Sequence, residues 1–567
     1  MRMNSKNTRG SCAGLARITL LGCLLVLCCG ACVSPPPAPE QSPAFDERMR
    51  DRIEGIRRSG QCVVEGDELA ALKLITALYE NNGFQPLWSR PGQANALLVA
   101  IRDAWREGLN PDDYHYQILS RILESPDTSP VDDVGRELLL SDAFFRLAYH
   151  YRFGRVDPEK LFIDWNFERG LDDLSPQALL NQAIEEDRVV ETLQDLLPDG
   201  PYYRGLRNAL ATYRDMQTHG GWQQLPEGPL LKPGMSHPQI AMLRQRLAAE
   251  GYGETDSGPA DTMDPALEAV LVDFQKRHGI DEDGRLGPAT REALNTPIRQ
   301  RIDQIRVNME RLRWVSHSLP EDFLLVDIAG YRVLLFEDYR LIWSSRAVVG
   351  RPYRKTPVFR AMMTYLVLNP SWTVPPTILR QDILPKLRQG TAVLQEKHLA
   401  IIDNNGRQVD PDSLDLAKLS AGAFPYQLRQ PPGPANALGR IKFMFPNRYL
   451  VYLHDTPTKS LFDKTQRAFS SGCIRIDKPL ELAEILLARN PGWTPQRLQA
   501  EIATQRTKTV TLHRPIPILI MYFTAESGED GQIRFRPDLY DRDAQVLEAL
   551  NRKLSFTPTI DNPAWTQ

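Results

Sequence analysis

A histidine and a cysteine stand nineteen positions apart in the second half of the chain, each in a setting that suits nucleophilic chemistry. His454 ends an alternating, strand-like run over residues 449–454, and Cys473 lies in the small-residue run SSGCIR at 470–475. A thiolate nucleophile needs a base within hydrogen-bond reach. The intervening chain is long enough for a loop that returns to the same cleft, so we expect Cys473 to be a nucleophile and His454 its base.

The residues beside Cys473 predict an oxyanion site. Ser471 and Gly472 add little bulk, so a substrate carbonyl can approach the sulfur closely. The backbone N–H groups of Gly472 and Cys473 are natural donors to a developing oxyanion. Each residue alone also has a plainer interpretation, since a lone cysteine is often a small buried hydrophobe and a strand-end histidine is often purely structural.

Three further side chains are candidates for substrate binding, each with an alternative. Alternate strand residues face the same way, so Leu450, Tyr452 and His454 should share one face. Tyr452 then either lines the cleft or simply packs. Arg475 either positions a substrate carboxylate or braces the loop through a bidentate pair. Trp372 either lines the cleft or packs at a strand end.

The composition narrows the classes of ligand. The net charge is −3 over 567 residues, so no broad basic surface indicates nucleic acid, and we expect no such partner. No paired cysteine or histidine ligands occur at the spacing of a zinc site. The sequence therefore predicts neither a metal nor a cofactor.

The N-terminus has the pattern of an export signal. Residues 1–31 combine early basic residues with an apolar run too short to span a bilayer. Small residues precede Cys32, which resembles a bacterial lipoprotein signal and predicts lipidation of Cys32. Ordinary signal cleavage and an uncleaved anchor are the alternatives. A proline-rich linker follows at 32–44.

Cysteine usage favours a chemical role for Cys473. Five of the seven cysteines lie in or beside the export signal, which leaves Cys62 and Cys473 in the folded body. A disulfide between these two is the alternative. A free thiol in an exported chain, placed in a reactive-looking turn, more readily fits catalysis.

Changes in periodicity divide the body into a multidomain α+β protein. We predict a helical scaffold domain over 45–225, a small three-helix module over 231–296 and a connecting helix over 297–318. Strand-like segments then predict a mainly β catalytic domain over 320–525. An insertion at about 375–437 interrupts it and resembles a mobile cover. Residues 526–567 are expected to form a C-terminal tail.

The runs HDT at 454–456 and SSGCIR at 470–475 resemble the signature of bacterial L,D-transpeptidase catalytic domains of the YkuD type. The resemblance implies that Cys473 is the nucleophile and His454 its base. Two positions depart from the usual pattern: Ser471 stands where a histidine is frequent, and Asp455 where glycine is common. The orienting partner of His454 is therefore open between Asp455 and a backbone carbonyl.

Other runs extend the resemblance over most of the chain. Residues 231–295, with FQ at 274–275, DG at 283–284 and GPAT at 287–290, resemble a peptidoglycan-binding module. Three more runs resemble the large Gram-negative L,D-transpeptidases of the YcbB type: NMER at 308–311, NPSWTVP at 369–375 and LGRIKF at 438–443. Those proteins have a helical scaffold, a binding module and a catalytic domain with a capping insertion, and the order here agrees.

The resemblance implies an enzyme of the bacterial wall. The expected substrate is a tetrapeptide stem of peptidoglycan, captured as a thioester at its diaminopimelate carbonyl and passed to a second stem as a 3-3 cross-link. Carbapenems are the expected inhibitors. An L,D-carboxypeptidase and a non-catalytic wall-binding lipoprotein scaffold are the alternatives. The expected partners are peptide stems and, through Cys32, a membrane facing the periplasm; the sequence does not indicate protein partners.

Overall fold

The computed structural model describes residues 43–125, 131–167, 175–253, 258–415, 424–528 and 530–554. The predicted export signal (1–31), Cys32 and nearly all of the linker (32–44) lie outside these ranges. Within them, no helix is both long enough and apolar enough to cross a membrane.

The scaffold region is helical and is organised around one buried helix. Its helices are α1 (Phe45–Ser59), α2 (Leu72–Asn81), α3 (Pro91–Asp103), α4 (Tyr116–Glu124), α5 (Asp133–Phe153), α6 (Pro158–Leu161), α7 (Pro176–Glu185), α8 (Val189–Gln194) and α9 (Pro201–Thr218), and a hairpin of β1 (Val63–Val64) and β2 (Asp67–Glu68) joins α1 to α2. Almost every residue of α5 is buried, because apolar side chains cover all of its sides. Helices α1–α4, α7 and α8 pack around it.

Three helices form the small module: α10 (Gln239–Ala249), α11 (Pro265–Arg277) and α12 (Pro288–Leu294). Helix α11 begins as its sequence predicts, with proline at the first position and the Asp264 carboxylate accepting a hydrogen bond from the N–H of Leu267. Leucines and Phe274 build an apolar core separate from that of the scaffold. The fold therefore contains the predicted three-helix module.

Helix α13 (Ile298–Arg313), the predicted connecting helix, is a buried central element. The carboxylate of Glu310 accepts a hydrogen bond from the N–H of Val156 in the scaffold (2.6 Å). Arg311 forms an ion pair with Asp543 near the C-terminus (2.6 Å). The helix therefore joins the scaffold to the end of the chain rather than merely linking two domains.

The catalytic region begins with four strands: β3 (Phe323–Asp327), β4 (Arg332–Glu337), β5 (Arg340–Gly350) and β6 (Phe359–Leu368). Strand β4 pairs in antiparallel fashion with both β3 and β5. The β-branched and aromatic runs at 323–328, 331–336, 341–349 and 362–368 predict four strands. The first three match β3, β4 and β5 closely, and β6 starts three residues before the fourth run.

The predicted insertion folds as a subdomain with its own apolar core. Its elements are β7 (Trp372–Thr373), α14 (Pro376–Ile378), α15 (Leu384–Leu387), α16 (Ala392–Glu396), β8 (Ala400–Ile402), β9 (Gln408–Val409) and β10 (Gln427–Gln430). The strands form a small sheet of order β7-β10-β8-β9. The sequence did not predict this sheet, because strands of two to four residues are too short for alternation to be visible.

The chain then returns to the main sheet. The elements are β11 (Ile441–Met444), β12 (Leu453–His454), β13 (Ala468–Ser470), β14 (Ile474–Ile476), α17 (Pro479–Leu487), α18 (Pro495–Ala503) and β15 (Lys508–Met521). The strand order is β13-β5-β14-β12-β11-β6-β15-β3-β4, and β4 also pairs with β5, so the sheet closes on itself. Within this sheet, β12 and β14 are parallel neighbours.

The predicted tail is wrong for the described residues beyond 525, which are folded. They form β16 (Ala525–Ser527), β17 (Ile533–Phe535) and α19 (Asp543–Asn551). Phe535, Tyr540 and Leu550 are almost fully buried. The elements are short and their apolar residues sparse, so periodicity alone could not identify them.

Candidate active site

Two neighbouring strands carry the predicted nucleophile and base. Strand β12 runs parallel to β14 with His454 opposite Arg475, and the first N–H of β14 donates to the carbonyl of Tyr452 (3.1 Å). Cys473 directly precedes β14 and so lies opposite Tyr452. Because strand residues alternate between faces, these four residues project to the same side.

Strand β12 is shorter than predicted, and Leu450 does not share this face. The strand has two residues, and Leu450 precedes it with φ +56° and a side chain that is 80% exposed. Its carbonyl oxygen lies 3.8 Å from the Cys473 sulfur. The prediction failed because an apolar run does not reveal a residue in the left-handed region, which is uncommon outside glycine.

The Cys473 thiol is half-buried beside Tyr452. Tyr452 adjoins the thiol and acts on its pKa, and the centroid of the Tyr452 ring is 5.6 Å from that of the His454 imidazole. No direct hydrogen bond between thiol and imidazole occurs among the described residues, and Tyr452 is close to both groups. Burial raises the pKa of the Cys473 thiol, while the polar groups of Tyr452 and the charges of Lys442 and Arg475 act in the opposite direction.

His454 is held as a neutral base. Its Nδ1 lies 2.5 Å from the carbonyl oxygen of Asp455. A carbonyl only accepts, so Nδ1 carries the hydrogen and Nε2 is left as the basic atom. Burial, followed by the nearby charges of Arg475 and Lys442, lowers the pKa of His454 to about 3. At neutral pH the resting site therefore holds a thiol and an uncharged imidazole rather than an ion pair.

The backbone carbonyl of Asp455, not its carboxylate, orients His454. The carboxylate accepts hydrogen bonds from the N–H of Arg440 (2.9 Å) and from the Lys459 ammonium group (2.8 Å). These bonds fix the turn that presents the carbonyl to the imidazole. A Cβ atom at Gly439 would lie 2.3 Å from the Asp455 side chain, which gives a physical reason for the glycine in the LGRIKF run.

Lys442 is a site residue that sequence reasoning missed. It lies on β11 opposite His454, with its ammonium group 3.8 Å from the centroid of the Tyr452 ring, and burial lowers its pKa. Neither Lys442 nor Arg475 forms an ion pair with any carboxylate that the structure describes, and the buried Nε of Arg475 has no described hydrogen-bond partner. The run over 441–445 reads as a strand, and the single charged residue within it was the signal that could have identified Lys442.

Gly472 adopts a conformation that L-residues with a side chain rarely take, at φ +115°. Its N–H donates to the Ser470 hydroxyl (3.1 Å), and its carbonyl accepts from the Thr356 hydroxyl (2.9 Å). The predicted oxyanion role of the Gly472 N–H is therefore wrong for this conformation, because that donor is already engaged. No group in the described ranges engages the N–H of Cys473, so this predicted donor remains open.

Ser471 is linked to the insertion through Arg354, and Trp372 packs against the insertion's core. The Ser471 hydroxyl accepts a hydrogen bond from the Arg354 guanidinium (2.8 Å), which also pairs with Asp382 of the insertion (2.7 Å). Trp372 lies in β7, half-buried against the core of the insertion, and this favours its packing interpretation. Arg354 thereby joins the insertion to the nucleophile loop.

The remaining cysteine is not bonded to Cys473. Both Cys62 and Cys473 are free, and Cys62 is buried in the apolar core that includes the scaffold, so the disulfide alternative is wrong. In the ranges that the structure describes, no group of three or more histidine, cysteine, aspartate or glutamate side chains could hold a metal ion.

Comparison with protein families assigns three regions of the chain. Residues 321–506 match the family described as L,D-transpeptidase catalytic domain, or YkuD, and residues 73–210 match a scaffold domain family. Residues 236–294 match the family described as "Putative peptidoglycan binding domain". The closed sheet that carries Cys473 and His454 is thus an L,D-transpeptidase catalytic domain, accompanied by a helical scaffold and a peptidoglycan-binding module.

A curated relative supports the same assignment. The "Putative L,D-transpeptidase" of Haemophilus influenzae is 37% identical over 243 residues, which are 43% of this chain and 48% of the relative. The match thus spans about half the length of that relative.

Solved structures of L,D-transpeptidases also align with the chain. One from Mycobacterium smegmatis is 13% identical, covers 35% of this chain and 58% of its own, and has a TM-score of 0.17. One from Xylanimonas cellulosilytica is 15% identical, covers 52% and 100%, and has a TM-score of 0.16. Similarity at this level carries no functional argument.

Proposed function

We propose that this chain is a peptidoglycan L,D-transpeptidase that works through a thioester on Cys473. The observation that carries the proposal is the common face of β12 and β14, with its thiol, its neutral imidazole and the open N–H of Cys473 inside the matched catalytic domain. The peptidoglycan-binding module supports peptidoglycan as the substrate. The proposed acyl donor is a tetrapeptide stem that is cleaved after its diaminopimelate.

Acylation begins when His454 Nε2 removes the thiol proton as the Cys473 sulfur attacks the stem carbonyl. Negative charge develops on the carbonyl oxygen, to which the N–H of Cys473 donates. The bond to D-alanine then breaks, and the proton held by His454 moves to the leaving amine. The product is a thioester between Cys473 and the shortened stem.

Transfer completes the cycle. A side-chain amine of diaminopimelate on a second stem attacks the thioester carbonyl and loses a proton to His454 Nε2. The carbon–sulfur bond breaks, the sulfur recovers that proton, and a 3-3 cross-link is formed. The thioester retains enough of the energy of the broken amide for a new amide to form without a nucleotide.

Two cations support a substrate rich in carboxylates. The Arg475 guanidinium lacks a described protein carboxylate that could brace it, which favours the interpretation that it positions a substrate carboxylate. Lys442 adds a second unpaired charge on the same face. Both charges also favour the thiolate as it forms, because an opposite charge stabilises the ionised group.

The decisive experiment is mass spectrometry of the purified protein mixed with defined tetrapeptide stems. We expect a covalent adduct on the peptide that contains Cys473, followed by linked stem dimers. An adduct with only shortened stems would indicate an L,D-carboxypeptidase, in which water replaces the amine. Binding of stems with neither adduct nor product would indicate a wall-binding scaffold and refute the proposal.

Lys442→Met is expected to raise the pKa of the Cys473 thiol and to slow its alkylation at neutral pH several-fold, because a charge that stabilises the thiolate is lost. Iodoacetamide reaction rates over a series of pH values measure the shift, which should be toward higher pH. Lys442→Arg keeps the charge and is the matched control. Superimposable profiles for wild type and Lys442→Met would show that Lys442 does not act on the thiol.

We also propose that the protein works in the periplasm, held to a membrane by lipid on Cys32. The export pattern of residues 1–31 and the small residues before Cys32 support this location. The proposed substrate lies outside the cytoplasm, which is consistent with export.

A further inference from the structure

The peptide unit between Gly472 and Cys473 is held by a hydrogen bond to its carbonyl, while its N–H is the proposed donor to the substrate oxygen. Thr356, which is fully buried, donates its hydroxyl hydrogen to the Gly472 carbonyl (2.9 Å) and accepts from the N–H of Gly350 (2.9 Å). A trans peptide unit is planar, so the direction of the Gly472 carbonyl fixes the opposed direction of the Cys473 N–H. The Thr356 hydroxyl therefore sets the aim of the proposed oxyanion donor.

Tyr540, from the segment predicted to be a tail, holds Thr356 in place. Its hydroxyl donates to the Gly350 carbonyl (2.6 Å) and accepts from the N–H of Thr356 (3.2 Å). The tyrosine is 1% exposed, and the Lys355 ammonium group donates to its carbonyl (2.7 Å). The backbone at Gly350 and at Thr356, which places the Thr356 hydroxyl, is thus bonded to the buried Tyr540 phenol.

Tyr540 is in turn fixed to the centre of the molecule. Its N–H donates to the hydroxyl of Tyr522 (2.9 Å), and the two rings stack with centroids 5.5 Å apart. The Tyr522 hydroxyl donates to Asp538 (2.7 Å), which accepts from the N–H of Asp543 (2.8 Å). Asp543 pairs with Arg311 on α13 (2.6 Å). Arg311 ends the NMER run at 308–311, so this run, which has no part in the proposed reaction, begins the chain of contacts that leads to Tyr540.

We propose that Tyr540 is a positioning residue: through Thr356 and Gly472 it aims the N–H of Cys473 at the carbonyl oxygen under attack. The inference rests on the proposed function only in taking Cys473 as the acylated nucleophile. It gives a role in the reaction to a segment that lies beyond residues 321–506, the extent of the catalytic-domain match.

The test compares two reactions of the same thiol. Acylation by p-nitrophenyl acetate passes through an oxyanion, whereas alkylation by iodoacetamide is a displacement at saturated carbon and forms none. We expect Tyr540→Phe and Thr356→Val to slow acylation roughly ten- to hundred-fold, because the donor is misaligned. Alkylation should be nearly unchanged. Thr356→Ser keeps the hydroxyl and should restore acylation to near the wild-type rate.

Tyr213→Phe is the matched control, since it also removes a buried phenolic hydroxyl. Tyr213 lies on α9 of the scaffold region, and its hydroxyl donates to Glu250 (2.7 Å). Neither rate should change in this variant. Wild-type acylation in Thr356→Val would overturn the inference, and so would an equal fall of acylation and alkylation. If Tyr540→Phe does not fold, the comparison of valine with serine at position 356 decides.

Parallel assays with tetrapeptide stems separate this inference from the proposed function. Ester acylation that depends on Tyr540, without any reaction of the stems, would support the positioning role and refute the proposed function. Stem cross-linking that is insensitive to both substitutions would refute the positioning role alone.

Discussion

Cys473→Ala is expected to abolish covalent capture of peptide stems and to reduce turnover on the order of 10⁶-fold, the scale seen when an acyl-transfer enzyme loses its nucleophile. The alanine side chain cannot form a thioester, and no other cysteine within the described residues lies on the face shared by β12 and β14. Intact-protein mass spectrometry after incubation with stems measures the capture, and product analysis measures the turnover.

Cys62→Ala is the matched control for this loss. It removes the other described thiol, which is buried and therefore of low reactivity. The variant should retain the full adduct, mapped to the peptide that contains Cys473. Persistence of a stem adduct in Cys473→Ala would show that another residue is the nucleophile.

His454→Ala should lower the rate of acylation by about 10²- to 10⁴-fold, the usual contribution of a positioned general base. Without this base, only the small fraction of Cys473 that is already ionised can attack, and burial raises the pKa of the thiol. Its rate should therefore increase with pH. The wild type should instead keep its base through mildly acidic pH, because the pKa of His454 is about 3. Stopped-flow acylation rates over a pH series distinguish the two profiles.

His219→Ala supplies the comparison for this prediction. His219 is an exposed histidine at the end of α9, and its removal should change neither the rate nor the pH profile. A wild-type rate that falls near the ordinary histidine pKa of about 6.5 would contradict the neutral, buried state assigned to His454. A flat profile in His454→Ala would contradict the proposed role of His454 as the base that removes the thiol proton.

The placement of Cys473 and His454, the proposed nucleophile and base, was within reach of the sequence, because each belongs to a short motif whose chemistry is local. Cys473 follows a glycine that its turn requires, and His454 ends a strand. The contacts that Cys473 and His454 make could not be predicted. The turn at Leu450 and the Ser470 hydroxyl that occupies the Gly472 N–H depend on tertiary structure. Sequence spacing carries no information on which donors are already used.

Longer-range features were the hardest to predict. The strands from β3 to β6 are long enough for alternation to mark them, whereas the long-range pairing of β5 with β14 and the sheet of the insertion arise only on folding. Lys442 looks like an ordinary strand residue until β11 is placed opposite His454. Tyr540 stands among short elements with little apolar pattern, yet it is buried and bonded to Gly350 and Thr356, and Thr356 in turn contacts Gly472. Its importance comes from contacts across nearly two hundred positions of the chain.

The uncharged resting state of Cys473 also bears on how long the sulfur survives. Peroxides attack the thiolate far faster than the thiol, and the first product, a sulfenic acid, is no longer a nucleophile for amides. Burial keeps the proton on this sulfur until a substrate is present and the imidazole accepts it. In the proposed mechanism, the same desolvation that makes a base necessary for attack is therefore expected to slow oxidative inactivation of Cys473 between turnovers.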